Sequence, residues 1–419
     1  MSFPWNSYRQ DHFPSAFEQM GGQLIWRQPC SKADMMNFSQ SPLLVIWETT
    51  QSCDLACIHC RASAVPARNP NELTTEQGYR LLDQVKEFAR SEPDGAPALH
   101  SNGVSGNRAP AGPVEPLIVF TGGDPMKRPD IFDLLRYSVS IGLRTNISPS
   151  ATPLLTNEVI DQFKACGISR MAISLDGPDA ASHDGFRGVE GTFDRAVEAL
   201  RHAQQIGLDT QQQTTVTRHN RYRLGEIADV VESTGGKMWS LFFLVVTGRA
   251  HAEDDLTAEE YEKVFEFLYE RSKTASFEIK TTEAMHYRRY VAQRRKAEGL
   301  TDRPGPGSFR SAGVSDGKGF VFVSHTGEIC PSGFLTIPAG NVKEGSLLDV
   351  YRNSQLFNLL RDVDQREGKC GICEFRNLCG GSRARAYATT GDYLAEDPRC
   401  SYHPHALGSV VGEPVESCS

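Results

Sequence analysis

The sequence predicts an α/β fold: a partial (β/α)6, TIM-like barrel over residues 41–300, then a small C-terminal domain over 301–419 that carries metal-binding cysteines. Three observations predict it. Six short apolar or β-prone runs alternate with helical patterns from Leu43 onward, and strands separated by helices imply right-handed βαβ units around a parallel sheet. Three thiols crowd into Cys53-Asp54-Leu55-Ala56-Cys57-Ile58-His59-Cys60, directly after the first run. Four more, Cys370, Cys373, Cys379 and Cys400, lie far downstream. A doubly wound open sheet is the alternative that the alternation by itself also permits.

Residues 1–40 are polar and aromatic without a clear period and read as a flexible lead-in or lid, with Cys30 a bystander. Leu43-Leu44-Val45-Ile46-Trp47 is a continuous apolar run, the pattern of a strand buried on both faces. Thr74 opens a helix to about Arg90, and Gln77 three residues on completes a capping box. Residues 91–116 are rich in Pro, Gly, Ser, Asn and Ala and read as an exposed insertion without function. The alternation resumes with a strand at Leu117–Phe120 and a helix at Pro129–Ile141, then a strand at Leu143–Ile147 and a helix at Asn157–Cys166. A fourth strand, Met171–Leu175, precedes a helix at Thr192–Ile206, and a fifth, Gln211–Val216, one at Arg223–Ser233. The sixth strand, Met238–Val246, leads to a helix capped by Thr257 and Glu260. Residues 301–319, with many Gly, Pro and Ser, hold the domain boundary. Phe320–Val323, a His325–Glu328 turn and Ile329-Cys330 then read as a hairpin.

Composition narrows the function. A net charge of −8 argues against a general nucleic-acid or membrane-surface binder. The longest apolar run, Leu241–Val246, is far short of a membrane span, and the N-terminus has no basic-then-apolar signal pattern. Eleven cysteines in Cys-x-x-Cys groupings point to metal rather than disulfides, and to a reducing, cytoplasmic, low-oxygen setting.

Thiolates are soft ligands that suit iron–sulfur clusters and zinc. The Cys53–Cys60 loop supplies three, and no fourth cysteine follows before Cys166. A four-iron cluster on this loop keeps one iron open, as catalytic metal sites do. A structural zinc knuckle is the rival reading, although zinc motifs pair two Cys-x-x-Cys units or add His at helix spacing. Ligands in barrels sit at the C-terminal ends of the strands. Thr121-Gly122-Gly123-Asp124-Pro125 falls there, after the second strand. Ser148 ends the third strand, and Ser174-Leu175-Asp176-Gly177 ends the fourth, with Arg187 shortly beyond. Val245 closes the sixth, and Arg249 follows it.

On these motifs the chain resembles the radical S-adenosylmethionine (SAM) enzymes, which carry a C-x3-C-x2-C loop on a partial barrel. The resemblance implies a 4Fe-4S cluster on Cys53, Cys57 and Cys60 whose open iron chelates the amino and carboxylate groups of SAM. Reductive cleavage then yields a 5′-deoxyadenosyl radical that abstracts hydrogen from a substrate. His59 holds the position where that family usually has an aromatic residue. Gly122-Gly123-Asp124-Pro125 resembles the family's Gly-Gly-Glu-Pro motif for the SAM amino group, with Asp in place of Glu. Ser174 and Asp176 resemble its ribose and carboxylate contact, with Ser148 facing the same ligand. By the same resemblance Arg187 pairs with the SAM carboxylate and Val245 flanks the adenine. A surface salt bridge is the plainer reading of Arg187, and a solvated loop residue that of Arg249.

The C-x2-C-x5-C-x20-C set at Cys370, Cys373, Cys379 and Cys400 is a closed shell of four thiolates. A zinc ribbon is the rival here too. The set is similar to the SPASM and twitch extensions of radical SAM enzymes, which implies a second, auxiliary 4Fe-4S cluster, with Cys330, Cys166 and Cys418 left out. The segment from Cys370 to Cys400 is similar to the heme synthases of the alternative heme pathway, and the likeness runs roughly from Leu43 to Pro404. Ser382 stands where those enzymes usually carry a cysteine. The resemblance implies oxidative decarboxylation of the propionates of iron-coproporphyrin III or a related tetrapyrrole, fed by a donor such as ferredoxin or flavodoxin. Propionates need cations, and Arg249, Arg288 and Arg289 are candidates, although a solvated helix face is the plainer reading of the last two. A maturase of ribosomally made peptides is one rival; a non-catalytic iron–sulfur electron carrier, which has no need of a SAM pocket, is another. The sequence names no catalytic side chain.

Overall fold

The computed structural model describes residues 17–20, 23–26, 37–90, 115–300 and 313–405. Cys30, Cys418, most of the predicted lead-in, most of the 91–116 insertion and most of the 301–319 boundary lie outside the described residues. A two-stranded hairpin, β1 (Phe17–Met20) and β2 (Gln23–Trp26), stands apart from the main sheet.

The main chain then alternates as expected. In order come β3 (Leu44–Glu48), α1 (Thr75–Arg90), β4 (Leu117–Thr121), α2 (Ile131–Ser140), β5 (Arg144–Ile147), α3 (Asn157–Ala165) and β6 (Arg170–Ser174). There follow α4 (Ala180–Arg187), α5 (Thr192–Gln205), β7 (Thr210–Val216), α6 (Leu224–Ser233), β8 (Met238–Phe243), α7 (Ala258–Ser272), β9 (Glu278–Thr282) and α8 (His286–Ala297). The capping signals act as their chemistry requires. Thr74 and Gln77 exchange backbone and side-chain bonds at the start of α1, and Thr257 and Glu260 form a capping box on α7.

Strands β3 to β9 are parallel and adjacent in chain order. A doubly wound sheet reverses its strand order; this one winds one way, as a barrel does. Along each strand one face packs on helices: Val45, Trp47, Ile118, Phe120, Ile147 and Ile173 join one core, and Trp239, Leu241 and Phe243 a second. The opposite face lines the barrel lumen.

Two features depart from expectation. A seventh parallel strand, β9, pairs with β8, Ser240 opposite Lys280. Its sequence, EIKTT, has no apolar run, because every residue is half-buried at the sheet edge. The C-terminal hairpin, β10 (Phe320–Val323) and β11 (Glu328–Cys330), forms as predicted, but β10 also pairs in parallel with β3, Val321 opposite Val45. With β12 (Gly340–Asn341) beyond β11, the sheet has ten strands, with β12 and β9 at its two edges. Val321, Val323, Ile329, Leu347, Tyr351 and Phe357 share the barrel's main core. Four short helices complete the described chain: α9 (Leu347–Asn353), α10 (Gln355–Arg361), α11 (Gly368–Ile372) and α12 (Arg383–Thr390). No described helix is long and apolar enough to cross a membrane.

Candidate radical SAM site

The Cys53–Cys60 loop leaves β3 at the C-terminal edge of the sheet and is pinned on three sides by backbone. Cys53 N donates to Val65 O (2.9 Å), Ala56 N to Arg187 O (3.1 Å) and Ile58 N to Phe186 O (3.2 Å), while Arg249 N donates to Cys60 O (3.0 Å). The end of α4 and the turn after β8 therefore clamp the loop. Gly188 and Gly248, both at positive φ, sit where a Cβ would run into Ala56 O and Cys60 O.

Each sulfur has a donor. Leu55 N lies 3.4 Å from Cys53 Sγ, Ala64 N 3.4 Å from Cys60 Sγ and Arg187 Nη1 3.6 Å from Cys57 Sγ. Ser150 Oγ stands 3.6 Å from Cys53 Sγ and donates to Gly123 O (2.9 Å). Donors aimed at thiolate sulfur are what an anionic cluster requires. Burial pushes the Cys53 thiol up from its ordinary value, which disfavours a free nucleophile; metal coordination reverses that preference. The residues fit a three-thiolate cluster.

Gly122 and Gly123 come to this edge by close backbone packing. A Cβ on Gly122 would lie 2.5 Å from Thr50 O, and one on Gly123 2.6 Å from Gln51 O, so both glycines let β4's end close against the strand that feeds the cysteine loop. Asp124 is fully buried and caps the Pro125–Lys127 turn. Its carboxylate accepts from Thr152 Oγ1 (2.8 Å), Met126 N (3.1 Å) and Ser150 N (3.3 Å). Burial pushes this carboxyl up, against those hydrogen bonds. Ser148 Oγ approaches Gln213 Oε1 at 3.4 Å, and Ser174 is the last residue of β6. Val245 packs with Leu335, Leu360 and Ala384, and its carbonyl accepts Thr247 N.

The surface reading of Arg187 does not hold. Its guanidinium pairs with Asp176, which is 1% exposed. Burial works against the Asp176 charge, and Arg187 overrides it, holding the carboxyl below its usual range. Asp176 also accepts Thr215 N (2.7 Å), tying β6's end to β7. His59 stacks on Phe186 with centroids 4.3 Å apart, so an imidazole supplies the aromatic surface beside the third cysteine; burial, then Arg187, lowers its pKa to about 3, leaving it neutral.

The three cations expected at the substrate do not converge. Arg249 holds the cysteine loop through Cys57 O (2.9 Å) and Ala64 O (2.8 Å), so the solvated-loop reading fails too. Arg288 donates to Val314 O and Leu378 O, and Arg289 is 5% exposed in a pair with Glu262. The solvated helix face expected for this pair is therefore corrected: α8 packs under the C-terminal segment. Ser150, Phe186, Gly188 and Gly248 escaped sequence reading because single residues of common type carry no spacing signal.

The four downstream thiols line one cavity with His286 and Arg289. Phe375 N points at Cys373 Sγ and Gly381 N at Cys379 Sγ, each at 3.4 Å, and Asp397 N at Cys370 Sγ at 3.4 Å. Arg383 Nη2 is 3.7 Å from Cys370 Sγ. Both His286 nitrogens and the Nε atoms of Arg289, Arg366 and Arg383 are buried without hydrogen-bond partners, a set of orphaned polar atoms around four thiols. Burial pushes Cys379 up to about 12 and Cys400 to about 11. Among the described residues no three His, Cys, Asp or Glu side chains stand in the arrangement of a single-ion site. Cys330 is buried in the sheet and Cys166 caps α3, both away from this cavity. A shallow groove between α3 and α5, lined by Glu198, Arg201 and His202, lies on the outer helical layer away from the strand ends.

Comparison with known proteins gives the family and the fold. Residues 110–230 match the Radical SAM superfamily. The AdoMet-dependent heme synthase of Nitratidesulfovibrio vulgaris is 40% identical over 87% of this chain and 93% of its own length. That of Methanosarcina barkeri is 34% identical over 88% of this chain and 99% of its own. Among solved structures, Streptococcus suis SuiB bound to S-adenosylmethionine superposes with a TM-score of 0.64 over 87% of this chain and 78% of that one, at 17% identity.

Proposed function

We propose that this chain, a radical SAM enzyme that belongs to the family of the AdoMet-dependent heme synthases, oxidatively decarboxylates the propionates of iron-coproporphyrin III or a related carboxylated tetrapyrrole. The observation that carries the reading is the 40% identity to a heme synthase along nearly the whole of both chains. The chemistry would balance as follows: each propionate gives one hydrogen atom to the 5′-deoxyadenosyl radical, releases carbon dioxide and passes one electron to an oxidised iron–sulfur cluster, and is left as a vinyl group. Bound cluster and SAM supply the hydrogen-abstracting radical.

The chain's own residues hold the parts in place. Cys53, Cys57 and Cys60 would ligate the SAM cluster; Arg249, Gly188 and Gly248 keep that loop against the barrel. Gly122, Gly123, Asp124, Pro125, Ser148, Ser174, Asp176, Arg187 and Val245 would form the SAM wall, Asp124 and the Asp176–Arg187 pair by bracing it from within. Cys370, Cys373, Cys379 and Cys400 would hold an auxiliary 4Fe-4S cluster in the C-terminal segment, with buried cations to balance its charge. Ferredoxin or flavodoxin would supply the reducing electron.

The test is anaerobic reconstitution with SAM, dithionite and iron-coproporphyrin III, followed by mass spectrometry. Stepwise loss of carboxyl groups with 5′-deoxyadenosine formation is expected. SAM cleavage that leaves the porphyrin intact, or that proceeds only with a precursor peptide, would overturn the reading.

A further inference from the structure

The cavity of the four downstream thiols is lined from two parts of the chain. Its sulfurs come from the C-terminal segment, but His286 and Arg289 come from α8, the helix after β9, where a spacing of three puts them on one face. The other polar side chains on its wall are engaged. Lys369 donates to Cys400 O and Tyr402 to Glu374, and Arg376 Nη2 stands 3.6 Å from Asp364 Oδ1. Arg289 donates to Glu262 and to Gln293 (2.9 Å).

His286 differs from all of these. It is 0% exposed, and neither ring nitrogen makes a hydrogen bond. Buried polar atoms are almost always partnered, so an imidazole sealed from water with both nitrogens orphaned marks a place where a ligand belongs. The ring is fixed by apolar contact. Tyr261 stacks on it with centroids 5.3 Å apart and 21° between the planes, and Phe265 meets it at 4.8 Å and 72°. Asp397 Oδ2 is 3.8 Å from Nδ1, beyond hydrogen-bond reach, and is already held by Ser382 N (2.8 Å) and Arg385 Nη1 (3.2 Å). What remains beside the ring is the thiol cavity that it lines.

We propose that His286 donates a ring N–H to a sulfur of the auxiliary cluster and so raises its reduction potential. The inference rests on the reading of the four thiols as ligands of that cluster. An imidazole carries at least one N–H whether it is neutral or protonated, so the donor is present in either state. A hydrogen bond to cluster sulfur favours the reduced form, which carries more negative charge, and such bonds help to set cluster potentials. Under the decarboxylation reading, the electron left by each propionate must enter an oxidised cluster. A raised potential makes this cluster the better acceptor. His286 is thus a positioning and tuning residue that reaches the cluster from the barrel side of the cavity.

The test uses the reconstituted full-length enzyme, its histidines labelled with nitrogen-15, reduced with dithionite and read by pulsed EPR and by redox titration. A coupling from labelled nitrogen to the auxiliary cluster should be present in wild type and absent from His286→Phe, which keeps the stacked ring but not the donor. A coupling from His59 at the SAM cluster persists in both proteins and cancels in the comparison. Iron should stay at about eight per chain in both. The midpoint potential should fall in His286→Phe, so that at a fixed poise the reduced-to-oxidised ratio drops by about tenfold, about 59 mV for one electron. His286→Gln, which restores an N–H, should recover part of that shift. Equal coupling and equal potential in wild type and His286→Phe, both with full iron, would overturn the inference and leave the cluster reading standing. About four irons in wild type, or zinc at the downstream thiols, would overturn the cluster reading and the inference with it. Should His286→Phe not fold, His286→Gln decides by the same coupling, because its amide nitrogen is unlabelled: loss of the coupling supports the donor, and an unchanged coupling overturns it.

Discussion

Arg187 shows how a single buried charge pair governs the site. Its partner Asp176 is sealed from water, so Arg187→Ala leaves a carboxylate without compensation; removal of one member of a buried pair costs about 3–5 kcal/mol. Thermal unfolding of the reconstituted enzyme should show that loss, and the double variant Arg187→Met/Asp176→Asn should recover much of it. A loss no greater than a surface pair's would return Arg187 to a peripheral role. Glu283 offers a second test, of proton linkage. It lies just past β9 at φ 57 and is 2% exposed, with its carboxyl bonded to Ser382 Oγ. Burial, then the neighbouring Asp316, pushes its pKa well above the ordinary value. The folded state therefore binds a proton that the unfolded chain has released above about pH 4.3. Stability tied to Glu283 is complete below that pH and declines as pH rises toward the raised folded value. Glu283→Gln keeps both hydrogen-bonding roles without the proton. Its melting temperature should fall less between pH 5 and 8 than that of wild type; parallel curves would refute the linkage.

At the scale of elements, the cysteine loop is placed by what packs on it rather than by its own sequence. Gly248 after β8 sits at φ 63 with Cys60 O in the space a Cβ would fill. Gly248→Ala should lift the loop and lower the iron retained there, read by iron analysis and by the EPR signal of the reduced enzyme. Gly185, inside α4 with open space around its Cα, is the control: Gly185→Ala should retain all iron and gain about 0.5–1 kcal/mol. Iron retention in Gly248→Ala equal to that of Gly185→Ala would refute the clamp. The α11–α12 segment predicts a separate number. Two four-iron sites hold about eight irons per chain, and Cys370→Ala/Cys373→Ala should retain about half, with SAM binding preserved. Bound zinc, or undiminished iron, would sink the auxiliary cluster.

The C-terminal segment is bound to the barrel inside the core sheet, through β10 and β3. Strand β10 pairs with β3, and Tyr351, 0% exposed, donates from its hydroxyl to Phe38 O (2.6 Å). Val321, Val323, Tyr351 and Phe357 fill the same core as Val45 and Phe88. A chain cut after residue 300 would expose the β3 edge and part of that core to water, an invitation to edge-to-edge aggregation. Such a fragment should be recovered aggregated, and co-expression of residues 313–419 should restore a soluble complex. A monomeric, cooperatively melting 1–300 fragment would show instead that the barrel folds alone.

Much of this was legible in the residues. Strand runs, capping boxes and cysteine spacing are local patterns whose physical meaning does not depend on distant chain, and they located the barrel, the loop at Cys53–Cys60 and the four downstream thiols. Strand β9 was not legible, because a half-exposed edge strand has no apolar run to betray it. Nor were the arginine roles. A guanidinium reaches whichever carboxylate or carbonyl the fold brings near, and for Arg249 that is Cys57 O, 192 residues away. Nor was the packing of Gly122 and Gly123 against Thr50 and Gln51, a contact between segments far apart in the chain. Residue type and spacing alone determined the fold class and picked out the two groups of thiols. Only tertiary structure decided which cations brace the loop and which pair with acidic side chains, because a charge takes its role from partners that sequence order does not place beside it.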